Sequence, residues 1–131
     1  MSLINLKVIK NIKGNIVKIL NKKDKNFKSF GECYISEIKS KSLKAWRYHV
    51  KNSQKITVIE GKCKIVMLRN KKFKSYILSS KNPKMLDIPN KVWYGFKNLT
   101  KKKAKILNIT DNHFQESEVI RKKINEIVFK W

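Results

Sequence analysis

The sequence predicts a single all-β domain, a sandwich or small barrel, and three observations carry that prediction. Short runs of alternating or β-branched apolar residues recur along the chain, with turn signals about every 8–12 residues. No stretch before residue 115 keeps a helical period. At 131 residues and 41% hydrophobic content, the chain can bury one ordinary core and is too short for two.

The elements follow in order. Leu6–Ile9 and Ile16–Ile19 flank Asn11-Ile12-Lys13-Gly14, a hairpin with Gly14 free to take positive φ. Residues 21–28, rich in Lys, Asn and Asp, read as a solvated loop. Gly31 to Ile38 alternates, so Tyr34, Ser36 and Ile38 share one face while Cys33, Ile35 and Glu37 share the other. Lys55–Ile59 and Lys62–Leu68 are read as a hairpin hinged at Gly61. Asn70–Lys74 turns the chain into Ser75–Leu78, and Ser79–Pro83 is a polar connection ending in Asn-Pro. Met85–Ile88 stops before Pro89. Val92–Phe96 and Ala104–Ile109 are read as the last pair, joined by the basic loop Asn98–Lys103. The tail Glu116–Trp131 fits either a short helix or an extended segment.

Composition excludes several classes. No window approaches the roughly 18 consecutive apolar residues of a transmembrane helix. Lysines every few residues interrupt any signal-peptide core in the first twenty residues. Cys33 and Cys63 form neither a C-x-x-C pair nor a disulfide framework, which fits a reduced, cytoplasmic protein. The net charge of +23 points first to a polyanionic partner. Yet 29 of the 32 basic residues are Lys, and Lys, Ile and Asn dominate while Ala occurs only at Ala45 and Ala104. An AT-rich genome imposes that bias on tolerant surface positions. The lysine runs also lack the interleaved aromatics of a nucleic-acid platform, so they read as solvated loops.

Two segments carry a resemblance. Gly31-Glu32-Cys33-Tyr34-Ile35-Ser36 followed by Lys44-Ala45-Trp46-Arg47-Tyr48-His49 resembles the "GEVYxS…KAWHYH" segment of the dTDP-4-dehydrorhamnose 3,5-epimerase family. Leu86-Asp87-Ile88-Pro89-Asn90-Lys91-Val92-Trp93-Tyr94-Gly95-Phe96 resembles its "LxIPPGVWHGF", and Leu107-Asn108-Ile109, Trp131 and Lys13-Gly14 match further short motifs. The likeness runs in order through nearly the whole chain. It implies a cupin jelly-roll barrel, usually a homodimer, that binds a nucleotide-diphosphate sugar. The implied chemistry is metal-free and needs no cofactor: a base removes a proton next to the 4-keto group, a cation holds the enolate, and an acid reprotonates it. The outcome is epimerisation, or migration of the keto group. The implied setting is surface-polysaccharide biosynthesis.

The chain departs from that pattern at the reacting positions. The family's base histidine falls on Arg47, which stays protonated and cannot act as a base. His49, the second His of the motif, is read either as general base or acid or as a structural histidine in the barrel mouth. Arg47 is either an anion clamp or enolate cation, or it is neutralised by Glu32 or Glu37. The family's tyrosine acid falls on Phe114, with His113 beside it; Tyr94, at the "HGF" histidine, is the alternative proton donor. The enolate-stabilising lysine falls near Gln54, with Lys55 one residue off and so on the opposite strand face. Lys44, Ser36, Glu32, Trp93 and Phe114 are the expected substrate contacts. With His49 and His113 as the only histidines, no metal site is expected. Two rivals remain: a catalytically silent sugar-nucleotide-binding cupin, and a basic nucleic-acid-associated β-protein.

Overall fold

The computed structural model describes residues 3–131. Twelve strands and two 3-10 turns account for its regular structure. One five-stranded antiparallel sheet contains β1 (Leu3–Asn5), β4 (Glu32–Ile38), β6 (Gln54–Glu60), β9 (Lys84–Ile88) and β11 (Ala104–Thr110), in the order β1-β9-β6-β11-β4. A second contains β5 (Leu43–His49), β7 (Lys62–Arg69), β8 (Lys72–Ser79), β10 (Trp93–Asn98) and β12 (Val119–Arg121), in the order β12-β5-β10-β7-β8. The hairpin β2 (Lys7–Ile9) and β3 (Ile16–Lys18) stands outside both, with Gly14 at φ 136° in its loop. The chain folds as the expected cupin jelly roll.

Strand parity builds the core. Ile56 and Val58 of β6, Ile106 of β11 and Ile38 of β4 pack against Ile65 and Met67 of β7, Phe96 of β10 and Leu78 of β8. The outer face of the second sheet is covered separately, where Trp46, Val66, Leu68 and Trp93 meet Ile127, Phe129 and Trp131 of the tail. The Trp46 indole N–H donates to the Ile127 carbonyl at 3.1 Å, fixing that strap.

Three local expectations are corrected. β6 and β7 are not a hairpin: β6 pairs with β9 and β11, and β7 with β8 and β10. Gly61, at φ 88°, marks a corner where the chain passes between sheets. The same holds for β10 and β11, whose basic connection crosses from one sheet to the other. The third turn is shorter than expected. Asn70 and Lys71, at φ 51° and 61°, make a two-residue turn, and β8 already begins at Lys72. Positive φ at both central residues matches the right-handed twist of the flanking strands. The tail is mostly extended, with 3-10 turns at Glu116–Glu118 and Ile124–Glu126 on either side of β12.

Candidate active site

The inward-facing residues change character along the barrel. At one end they are Ile38, Val58, Ile65, Phe96 and Ile106. Toward the other they become Tyr34 and Ser36 on β4, Gln54 on β6, Asn108 and Thr110 on β11, and Arg47, His49 and Tyr94 on β5 and β10. The same two-residue period that buries the aliphatic residues therefore lines one mouth with polar groups.

A hydrogen-bonded chain forms the centre of that mouth. His49 Nδ1 lies 2.6 Å from Glu118 Oε2, and His49 Nε2 lies 2.8 Å from the Tyr94 hydroxyl. The carboxylate accepts only, so Nδ1 carries the proton, and in the neutral ring Nε2 accepts from Tyr94. Glu118 Oε1 also accepts from the backbone N–H groups of Asn52 at 2.8 Å and Lys51 at 3.2 Å. Burial pushes the Glu118 carboxyl up, but the bonds from His49 and these two N–H groups outweigh it and hold the group below the usual range. Burial drives the Tyr94 hydroxyl far above its ordinary value, opposed by the Gln54 amide and the Arg47 charge, so it stays protonated. Tyr34 is likewise raised by burial, with Arg47 pulling it back. The rings of His49 and Tyr94 stack with 5.7 Å between centroids.

A second network supports the wall from the other sheet. Ser36 Oγ donates to Asn108 Oδ1 at 3.1 Å, and Asn108 Nδ2 donates to Gln54 Oε1 at 3.1 Å. Among the described residues the buried Gln54 Nε2 has no hydrogen-bond partner, which leaves one amide donor beside Tyr94. The arrangement can hold an imidazole with its Nδ1 proton fixed, a protonated phenol and amide donors against one small polar volume.

The structure brings some of the sequence-derived candidates together and separates others. His49, Tyr94, Arg47 and Ser36 share the mouth, and Glu32 lies at its rim beside Tyr34. Lys55 does not join them. It lies on the outer face of the first sheet, 3.7 Å from Asp87, and its neighbour Gln54 takes the inward position. Trp93 also points outward, stacked on Tyr48 at 5.1 Å. Lys44 donates its ammonium proton to the Glu37 carbonyl at 2.7 Å. His113 and Phe114 are exposed on the loop after β11, and among the described residues the His113 side chain bonds only to Gln115. Neither Glu32 nor Glu37 neutralises Arg47; among the described residues Glu37 pairs with Lys103 instead. Sequence reasoning missed Glu118, which sits in the undecided tail, and Asn108. The one usable signal was scarcity: Glu118 is one of only nine acidic residues.

Among the described residues no three His, Cys, Asp or Glu side chains gather as a metal site, and no helix is long and apolar enough to cross a membrane.

The chain is similar to a dTDP sugar isomerase from Desulfovibrio desulfuricans G20, with 29% identity over 92% of this chain and 82% of that one, and a TM-score of 0.87. The fold is shared with the 3,4-ketoisomerase QdtA from Thermoanaerobacterium thermosaccharolyticum, solved as a mutant in complex with TDP-4-keto-6-deoxyglucose, at 22% identity over 92% of this chain and 86% of that one, TM-score 0.80. It is shared too with a dTDP-4-dehydrorhamnose 3,5-epimerase from Bacillus anthracis with TDP and PPi bound, at 20% identity over 98% and 83%, TM-score 0.87. No curated protein sequence matches the chain. The family model described as FdtA, WxcM-like, C-terminal, matches residues 1–128, and the chain belongs to that family.

Proposed function

We propose that the protein is a sugar-nucleotide isomerase acting through an enolate on a nucleotide-linked 4-keto-6-deoxyhexose, with keto migration between C4 and C3 as its leading reaction. The observation that carries this reading is the Glu118–His49–Tyr94 chain at the polar mouth of the barrel. A ketone at C4 acidifies the C3–H bond. His49 Nε2 takes that proton while Glu118 stabilises the imidazolium, and the electron pair moves onto O4 to give an enediolate. The proton of the C3 hydroxyl passes to O4. The electrons at O3 re-form a carbonyl at C3, and His49 returns a proton to C4. Tyr94, held protonated, donates a hydrogen bond to the developing oxyanion once substrate draws it from His49. Guanidinium charge from Arg47 favours the anion at this mouth.

Epimerisation at C3 or C5 is the second reading. It needs an acid on the opposite face, and the position matched to the epimerases' tyrosine is Phe114, which is 54% exposed and has no hydroxyl. Keto migration needs no second acid there. Similarity to a dTDP sugar isomerase supports the nucleotide-sugar class. The sequence resemblance supports a place in surface-polysaccharide biosynthesis, and the cysteine usage supports a reduced, cytoplasmic setting. A homodimer fits the exposed apolar side chains Ile9, Ile12 and Ile16 of the β2–β3 hairpin, which need a covering surface.

The test is substitution at His49. His49→Gln keeps hydrogen-bonding capacity and removes the base, so keto-sugar turnover falls by about 10²–10⁴-fold while the thermal melt stays close to wild type. Undiminished turnover in the folded variant removes His49 from the mechanism.

A further inference from the structure

The chain Glu118–His49–Tyr94 is assembled from three separate pieces of backbone: the tail, β5 and β10. Two of the joints between those pieces are weak. β12, which follows Glu118 and pairs the tail to β5, is a three-residue edge strand with two exposed residues. On the other side, the register of β10 against β5 shifts between Tyr94 and Gly95. Such an irregularity interrupts the ladder, here at the residue that must be held against His49.

Behind these joints, on the outer face of the same sheet, four aromatic rings form a closed circuit. Trp46 lies 6.3 Å from Phe73 and 5.2 Å from Trp131, and Phe129 lies 4.8 Å from Phe73 and 5.3 Å from Trp131, centroid to centroid. Aromatic pairs attract at such spacings. Trp46 and Phe73 belong to β5 and β8, whereas Phe129 and Trp131 belong to the tail. Trp46 binds the tail by hydrogen bonds as well. Its backbone exchanges bonds with Lys122 at 3.0 and 3.1 Å, and its indole N–H donates to the Ile127 carbonyl.

Trp131 is the ring that meets all three pieces. It packs on Trp46, three residues before His49 on β5. A Cβ at Gly95, the residue after Tyr94 on β10, would stand 3.0 Å from its ring, so glycine leaves it that seat. It lies in the same tail as Glu118. Trp131 Nε1 is buried and, among the described residues, has no hydrogen-bond partner, so ring contact and shape hold this side chain.

We propose that Trp131 is a positioning residue for the isomerase: seated on Trp46 and Gly95 and backed by Phe73 and Phe129, it fixes the spacing of Glu118, His49 and Tyr94 from the far side of the sheet. It touches no reacting atom, and its effect passes through the Glu118–His49 bond and the placement of the Tyr94 hydroxyl. The inference rests on the isomerase reading. A displacement of about 1 Å at a reacting group costs up to about 10²-fold in rate, which is the scale on which such a latch acts.

The test compares Trp131→Ala, Trp131→Phe, Glu118→Gln and the double variant Trp131→Ala with Glu118→Gln. Steady-state turnover is measured beside the proton NMR signal of His49 Nδ1–H, which a bond to a carboxylate moves downfield and protects from exchange. In Trp131→Ala kcat should fall about tenfold or more with KM unchanged, and the Nδ1–H signal should broaden or move upfield. Trp131→Phe keeps a ring, drops the unpartnered N–H and should restore both. Added to Glu118→Gln, Trp131→Ala should cost less than it does in wild type, because the two act through one bond. Ile38→Val loosens the core at the opposite end of the barrel, and should lower the melting temperature without moving kcat or the signal. If Trp131→Ala does not fold, Trp131→Leu, which keeps apolar bulk and loses the ring, takes its place. Wild-type kcat with an unmoved Nδ1–H signal in the folded variant overturns the proposal. So does full additivity with Glu118→Gln, or a loss that Trp131→Phe shares. If wild type turns over no nucleotide-linked 4-keto-6-deoxyhexose, the isomerase reading fails, and the Nδ1–H signal still decides whether the latch sets the Glu118–His49 bond.

Discussion

Glu118 is the residue on which the proposed chemistry depends most after His49 itself. Its bond to His49 fixes the tautomer, and its second oxygen is tied to two backbone N–H groups, so the carboxylate cannot swing away. Because its folded pKa is depressed, the stability it contributes is fully present above the unfolded carboxylate value of about 4.3 and is lost as pH falls through the folded value. Glu118→Gln should therefore be less stable than wild type at pH 7, with the gap closing in acid; denaturant melts at pH 7 and pH 3 measure it. In turnover the variant should lose at least about tenfold in kcat, with little change in KM. An equal loss in KM would make Glu118 a binding residue. The family resemblance pointed to His49 and Tyr94 through the motif positions they occupy. It could not point to Glu118, which is 69 residues from His49 and lies in a tail whose period fits two conformations.

Among the elements, strand identity was legible and strand partnership was not. Alternation and branched residues mark β4, β6, β7 and β11 because each buries one face or both. Proximity in sequence then suggests hairpins, yet β6–β7 and β10–β11 cross between sheets, since a jelly roll joins its two layers at such corners. Parity also decides a functional question. With Ile56 and Val58 in the core, Gln54 faces inward and Lys55 outward, as the one-residue offset of Lys55 from the motif implies. Close approach between elements makes two glycines sensitive. At Gly95 a Cβ would stand 2.6 Å from Ala45 Cβ and 3.0 Å from Trp131, where β10 meets β5 and the tail strap. At Gly31 it would stand 2.0 Å from the Asn112 backbone, which cannot move as a side chain can. Gly95→Ala should cost about 1–3 kcal/mol by urea melts, and Gly31→Ala more. The reverse order would mean that the β4 entrance is looser than the β5–β10 seam.

For the molecule as a whole, the charge and the fold pull toward different partners, and the distribution of the charge decides between them. The lysines of Lys22-Lys23, Lys71-Lys72 and Lys101-Lys102-Lys103 are exposed, and each cluster sits on a separate loop or turn. Arg47, Arg121 and the buried Glu118–His49–Tyr94 chain converge instead on one barrel end. Composition made the excess charge visible, and only the three-dimensional arrangement shows that its chemically specific part is small and local. The central claim is proton chemistry beside a ketone at that end. Its most direct test is proton NMR of the wild-type protein with a nucleotide-linked 4-keto-6-deoxyhexose in deuterated water. The account predicts loss of the C3 proton signal together with appearance of the 3-keto isomer carrying deuterium at C4. A substrate that broadens on binding yet keeps every ring proton, with no new sugar formed, would contradict it and leave a sugar-nucleotide-binding barrel.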